Sequence, residues 1–159
     1  MDRTAYPRPG ERLTREELHA RYSLTRKDLA FIHVTARGDA GRLMLAALLK
    51  TRQNLGYFPA LNDVHADVET HLVSQLKVAV PPPRRSDESA TKTLYRYQAA
   101  VRGYLNVTPY DATGERLVTG TVLEAAETMS DPADLINRSI EVLHEAAIDL
   151  PASALWTGW

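Results

Sequence analysis

Eleven basic side chains in the first two thirds of the chain have the types and positions needed to bind a polyanion. Lysine and arginine neutralise phosphate charge, and arginine can also read a base edge in the major groove of DNA. Arg26 and Lys27 fall in the first turn of a predicted helix, where free N–H groups and the helix dipole also favour phosphate. The candidates for DNA contact are Arg26, Lys27, Arg37, Arg42, Lys50, Arg52, Arg84, Arg85, Lys92, Arg96 and Arg102.

Motifs for other chemistry are not found in the sequence. Its five histidines include no pair at the His-x-x-x-His spacing that would place two metal ligands on one helix face. Acidic residues crowd the last third, but Asp131 and Asp134 fit a helix start around a proline. There is no nucleophile elbow, phosphate-binding loop or dinucleotide fingerprint, and there is no cysteine. We therefore expect no catalytic residue, no cofactor and no metal site.

Helices must position these basic residues. The first two predicted helices begin with nearly the same six-residue sequence. The chain reads LTREEL and, eleven residues later, LTRKDL. Thr14 with Glu17, and Thr25 with Asp28, have the spacing of capping boxes, and leucines flank each cap at the spacing of a hydrophobic staple. Two short helices so close together must cross steeply, as in helix-turn-helix units. Any small helical bundle would also have this pattern.

Five further helices are predicted. Apolar residues at helical spacing predict a third helix, capped by Asp39 and reaching about Asn54. The fourth begins at a cap on Asn62 or Asp63, and a proline-rich basic loop, residues 78–90, follows it. The remaining helices span about residues 91–105, 114–129 and 131–148. No segment alternates long enough to indicate a strand. The sequence thus predicts an all-α fold with two small sub-bundles of helix-turn-helix type.

The net charge of −1 hides a strong asymmetry along the 159 residues. Residues 1–110 carry 17 Lys+Arg against 11 Asp+Glu, or +6, whereas residues 111–159 carry 2 against 9, or −7. Such a split suggests one part facing a polyanion, although an ordinary surface of mixed charge has it too. We predict a first DNA-binding unit at 1–59 and a second helical unit at 60–159. Without a long apolar run or a secretion signal, the expected compartment is the cytoplasm.

Residues 19–59 resemble the opening of the large transposases of class II replicative, cointegrate-forming bacterial transposons. The residues that carry the resemblance are His19, Tyr22, Leu24-Thr25, Asp28-Leu29, Ile32, Arg37-Gly38, Arg42-Leu43 and Gly56 to Pro59. Later stretches, LVSQLKV, YRYQAAVRGYLNVTPYD and IDLPASALW, are similar to following parts of the same region, so the resemblance covers most of residues 14–156. It departs at Gly41 and Met44, where the family has asparagine and glycine.

The resemblance implies sequence-specific binding to double-stranded DNA at the terminal inverted repeats of a transposon. The implied partners are transposon-end DNA and, beyond it, a second copy of the chain or the remainder of the transposase. The metal-dependent catalytic domain of such transposases is not part of this sequence, so we expect no enzymatic activity from it. An alternative remains open: a helical protein-interaction module that docks a basic partner through its acidic C-terminal third. An enzyme is the third possibility.

Overall fold

The fold is all-α, as the sequence predicts. The computed structural model describes residues 6–8, 12–79 and 88–151. In this part of the chain the helices are α1 (Arg15–Tyr22), α2 (Arg26–Thr35), α3 (Gly38–Leu55), α4 (Ala66–Leu76), α5 (Glu88–Leu105), α6 (Ala112–Ala125) and α7 (Pro132–Glu145), with a short 3-10 turn at Leu61–Asp63. None of these helices has both the length and the apolar character that crossing a membrane requires.

Both predicted capping boxes are present. The Thr14 hydroxyl accepts a hydrogen bond from the Glu17 N–H at 3.1 Å, and the Glu17 carboxylate accepts one from the Thr14 N–H at 2.8 Å. Thr25 and Asp28 repeat the exchange at 3.0 Å in each direction. Each box satisfies two backbone donors that a helix start leaves free. The two boxes therefore define where α1 and α2 begin.

Helix α3 is the centre of the larger unit. Ten of its residues are buried, and it contacts α1, α2, α4 and α5. The helix ends at Gly56, which adopts the left-handed conformation with φ of 81° that glycine accommodates at least cost. Val68 and Leu72 from α4 and Val101 from α5 complete one continuous apolar core with α3. The core of this unit thus needs all five helices.

The smaller unit is built on the α6–α7 pair. Asp111 caps α6, and Asp131 caps α7 with Pro132 in its first turn. The segment before α6 pairs with the segment after α7, since the Thr108 N–H donates to the carbonyl of Ala147 at 2.9 Å. Tyr6 belongs to the same unit: its hydroxyl donates to the carbonyl of Pro151 at 2.9 Å. This unit is thus closed by short polar contacts around two helices.

The division between the units differs from the predicted one. The chain separates into residues 8–105 and a second unit of residues 1–7 with 106–159. The predicted boundary at 59/60 lies inside the larger unit, because α3 packs on α4 and α5 across it. The helix pair α4–α5 does not form a separate bundle with α6 and α7.

Two predicted helix caps also differ. Helix α4 is capped by His65, whose Nδ1 accepts from the Asp67 N–H at 3.1 Å, because Leu61–Asp63 forms a separate 3-10 turn before it. Asp39 lies inside α3 and accepts instead from the Ala79 N–H at 3.2 Å. Of the predicted loop 78–90, residues 80–87 lie outside the described residues, and α5 already begins at Glu88.

Candidate nucleic-acid interface

The charge asymmetry follows the structural division. The larger unit, residues 8–105, carries 16 Lys+Arg against 10 Asp+Glu, a net charge of +6. The smaller unit, residues 1–7 and 106–159, carries 3 against 10, a net charge of −7. Since each unit has its own helices and core, the two signs of charge belong to two separately packed bodies. A polyanion is attracted to the first of them and repelled by the second.

Aromatic side chains connect α5 to α2 within the larger unit. The rings of Phe31 and Tyr104 stack with centroids 4.2 Å apart and planes 9° apart. The Tyr104 hydroxyl donates to Asp28 Oδ1 at 2.8 Å. At the other end of α2, a Cβ built on Gly41 would lie 3.0 Å from the Tyr97 hydroxyl and 3.9 Å from Ala36. Tyr104 thus joins α5 to the first half of α2, and Tyr97 of α5 packs against α3 at Gly41.

Asp28 is the centre of a buried polar network under this contact. Besides Tyr104 and Thr25, its carboxylate accepts from Lys50 Nζ at 3.3 Å. Burial raises the pKa of Asp28, but the hydrogen bonds from Thr25 and Tyr104 and the charge of Lys50 outweigh it, so the pKa lies below its usual value. Burial, the hydrogen bond to Asp28 and its negative charge raise the pKa of Tyr104 to about 12. Asp28 is therefore ionised and Tyr104 neutral at pH 7.

Two of the predicted DNA contacts, Lys50 and Arg52, do not reach the surface. They are only 7% and 6% exposed, because α3 is surrounded by the other helices at this point. The Lys50 amine is held by Asp28 and by Gln53 Oε1, the latter at 2.9 Å. Lys50 is therefore a structural partner of Asp28, and burial keeps both Lys50 and Arg52 from contact with DNA.

The other described candidates remain accessible to different degrees. Arg26, Lys27, Arg37, Lys92 and Arg96 are exposed.

Arg42 and Arg102 are half-buried, and the Nε of Arg42 is shielded from solvent without a hydrogen-bond partner among the described residues. Arg84 and Arg85 lie outside the described residues.

Aromatic rings hold three of these cations. Lys27 Nζ is 5.5 Å from the Tyr104 ring centroid, the Arg96 guanidinium carbon is 5.3 Å from that of Tyr97, and the Arg102 guanidinium carbon is 4.9 Å from that of Phe58. A ring below the charge restricts a long flexible side chain at little cost in solvation. Tyr104, which joins α5 to α2, thus also positions Lys27, whereas Tyr97 and Phe58 position Arg96 and Arg102.

Sequence reasoning missed two features of this surface. Tyr97, which the sequence places among the basic residues of α5, is buried and only 3% exposed. Val34 near the end of α2 is 88% exposed, and His33 beside it is exposed as well. Helical spacing counted from the capped start of α2 could have placed His33 and Val34 on the same face as Arg26. Positions 26, 30, 33 and 34 fall on one side of a helix, because three or four residues separate neighbours on a face.

A histidine pair joins α1 to α4 within the larger unit. Ser23 Oγ lies 3.1 Å from His71 Nε2 and 3.4 Å from His19 Nδ1. Burial, and then the neighbouring His19, lower the pKa of His71, so its imidazole is neutral at pH 7. In the described part of the chain no group of three or more His, Asp or Glu side chains could hold a metal ion. The contact acts as a connection between two helices.

Comparison with known proteins assigns the chain to a family. A family described as domain of unknown function DUF4158 matches residues 1–155. The chain belongs to the DUF4158 family. This family is associated with the N-terminal regions of transposases. The match includes both structural units of the DUF4158 domain. No curated protein shows significant similarity to the chain.

Proposed function

We propose that this DUF4158 domain binds double-stranded DNA at the terminal inverted repeats of a class II replicative transposon, as the N-terminal region of its transposase. The observation that carries the proposal is the location of the positive charge. The net positive charge belongs to the unit of α1–α5, where five of the candidate cations are exposed. The association of the family with transposase N-terminal regions and the resemblance of residues 19–59 to replicative transposases support the same reading.

The arrangement of α2 and α5 suits a duplex. Arg26 and Lys27 stand in the first turn of α2, where the helix dipole also favours a phosphate. Among the described side chains of α5 the exposed ones are Thr91, Lys92, Tyr95, Arg96, Ala99 and Gly103, which follow helical spacing. Small residues at the last two positions let a phosphate backbone approach the helix closely. Helices α2 and α5 together give the larger unit exposed positive charge and a surface that a phosphate backbone can approach.

A second candidate function, the docking of a basic protein partner, rests on the smaller unit. Its net charge of −7 and its exposed Leu123 fit a surface that docks a basic protein partner. DNA binding is the better supported, because a DNA-binding unit explains the cations on α2 and α5, and an acidic docking surface does not. The two readings differ in which unit carries the contact, so variants in one unit at a time separate them.

The test measures binding of the intact chain to a labelled duplex by fluorescence anisotropy across a series of salt concentrations. The duplex carries the end sequence of the transposon that encodes the chain, and a scrambled duplex of the same composition is the comparison. If about five phosphates are neutralised, log K falls against log[salt] with a slope of roughly −4 to −5. A slope near zero, or equal affinity for both duplexes, contradicts the proposal.

A matched pair of double variants locates the contact. Arg26→Ala with Lys27→Ala removes two exposed cations from the larger unit and should reduce the slope by about 2. Arg116→Ala with Arg138→Ala removes two exposed cations from the smaller unit and should leave the slope unchanged. Equal effects from the two pairs would mean that the attraction comes from total charge and not from the α2–α5 side of the molecule.

A further inference from the structure

The exposed side of α2 forms one continuous face. Residues 26, 27, 30, 33 and 34 are the exposed positions of this helix. At 100° per residue they fall within an arc of about 120°, centred near Ala30. Asp28, Ile32 and Ala36 lie on the opposite side and are buried. Helix α2 therefore has a well-defined outward face, and no acidic residue lies on it.

The residue types along this face change from charged to apolar. Arg26 and Lys27 occupy its beginning, Ala30 its middle, and His33 and Val34 its end. A single exposed valine is ordinary on a protein surface. Here Val34 is 88% exposed, the most exposed of the large apolar side chains in the described residues, and it shares its face with two cations. A partner for this face must accept positive charge and offer an apolar group within about two helical turns.

The buried hydrogen-bond network around Asp28 fixes the orientation of this face about the axis of α2. Asp28 is bonded to Thr25, Lys50 and Tyr104, and Phe31 stacks on Tyr104. Rotating α2 about its axis to bury Val34 would bring Asp28 out and break its bonds to Lys50 of α3 and Tyr104 of α5. The apolar side chain of Val34 is therefore held outward by the fold.

Duplex DNA is the partner whose chemistry fits this order of residues. A helix of ten residues is about 15 Å long, and the major groove is about 12 Å wide. The groove is bordered by phosphates, and its floor carries the 5-methyl group of thymine, which apolar side chains contact. With Arg26 and Lys27 against a phosphate, the small Ala30 allows the helix backbone to approach and Val34 reaches the base edges.

We propose that α2 enters the major groove and that Val34 reads the 5-methyl group of a thymine. The proposal rests on the proposed DNA binding and adds that α2 is a helix that reads a base, and by which contact. Val34 is then a specificity-determining residue, in contrast to the cations of the same face, which position the protein on the duplex.

The test uses a duplex selected by the intact chain from a pool of random sequences. Each thymine of the selected duplex is replaced in turn by deoxyuridine, which removes only the methyl group. The wild-type chain should lose roughly fourfold in affinity at one thymine, the loss expected for one buried methyl contact. Val34→Ala should bind the unmodified duplex roughly fourfold more weakly and be indifferent to deoxyuridine at that same position.

Leu123→Ala is the matched control, because Leu123 is also a largely exposed apolar side chain, at 70%, but lies in the acidic unit. It should behave as the wild type, and thermal unfolding followed by circular dichroism verifies that both variants fold. If Val34→Ala loses as much affinity as the wild type on deoxyuridine substitution, or if no substituted thymine lowers the affinity of the wild type, the methyl contact is refuted while DNA binding stands. If no sequence is enriched and no duplex is bound, DNA binding itself fails and this inference with it.

Discussion

The Nζ atom of Lys50 lies 3.3 Å from Oδ2 of Asp28, and their side chains are only 8% and 5% exposed. The pair joins the second half of α3 to the first turn of α2. A buried ion pair contributes little net free energy over apolar side chains of the same size, but loss of one partner leaves an uncompensated buried charge. The pair therefore fixes the position of α2 on the core.

Lys50→Met should strongly destabilise the larger unit. Asp28 would remain buried without its cation, and the expected loss in the free energy of unfolding is about 3–5 kcal/mol, measured by urea denaturation. The control is Arg138→Met, which breaks the exposed pair with Glu141, 3.0 Å apart, and should cost at most about 1 kcal/mol. Equal losses in both variants would show that the buried pair has no special role.

Stability should fall in alkaline solution because of Tyr104. Its pKa is 10.0 in the unfolded chain and about 12 in the folded one. Below pH 10 the phenol is neutral in both states and its contribution is complete. Between pH 10 and about 12 the unfolded state loses the proton first, so the contribution decreases as the pH rises through this window.

Tyr104→Phe tests this titration while it keeps an aromatic ring against Phe31. The variant should be less stable than the wild type at pH 7, because it loses the hydrogen bond to Asp28, and its stability should depend less on pH above 10. Tyr95→Phe, at a site 65% exposed, is the control. Urea denaturation at pH 8, 10 and 11 gives the comparison, and parallel curves for wild type and Tyr104→Phe would argue against the assignment.

Residues 8–105 should fold on their own, and residues 1–60 should not. All members of the buried apolar cluster that includes Leu43, Leu72 and Val101 lie within 8–105, whereas a chain ending at residue 60 lacks α4 and α5. We expect cooperative thermal unfolding and salt-dependent DNA binding from 8–105, and neither from 1–60. Cooperative unfolding of 1–60 would restore the boundary predicted at 59/60.

Substitution of individual cations should distinguish residues that position the protein on the DNA backbone from residues that read the base sequence. Arg26→Ala and Lys27→Ala should weaken binding to all duplexes about equally, because a helix start contacts phosphate. Arg96→Ala removes a side chain from the exposed face of α5 and should also relax the preference for the transposon end over the scrambled duplex. Binding of each variant to both duplexes measures this preference, and an unchanged preference in Arg96→Ala would exclude α5 from sequence reading.

The starts of α1, α2 and α7 could be predicted from the sequence because capping is local, whereas the caps predicted for α3 and α4 were wrong. Thr14 and Thr25 need only a carboxylate three residues later, and Asp131 needs only the proline after it. The apolar spacing of α3 likewise predicted the central helix. The contacts of Asp28 with Lys50 and Tyr104 could not be predicted from the sequence, since they join residues 22 and 76 positions apart.

The candidate site was predictable only in part for the same reason. A lysine is usually solvated, and nothing in the neighbourhood of Lys50 signals that Asp28 will meet it in the core. The periodicity of α3 does not tell how many helices will surround it, so Arg52 was also expected at the surface. The boundary at 59/60 followed from the turn at Gly56, but α4 and α5 pack back onto α3 beyond that turn.

The hydrogen bond from Tyr6 to Pro151 joins residues 145 positions apart, and residues 8–105 lie between them in the chain. In sequence, the larger unit is an insertion into the smaller one. During translation every residue of its core is added to the chain before Pro151, so the inserted unit should fold first. Once it has folded, closing Tyr6 onto Pro151 no longer requires the ordering of a long flexible loop. The order of synthesis thus favours a pathway in which the basic body forms early and the acidic one assembles last.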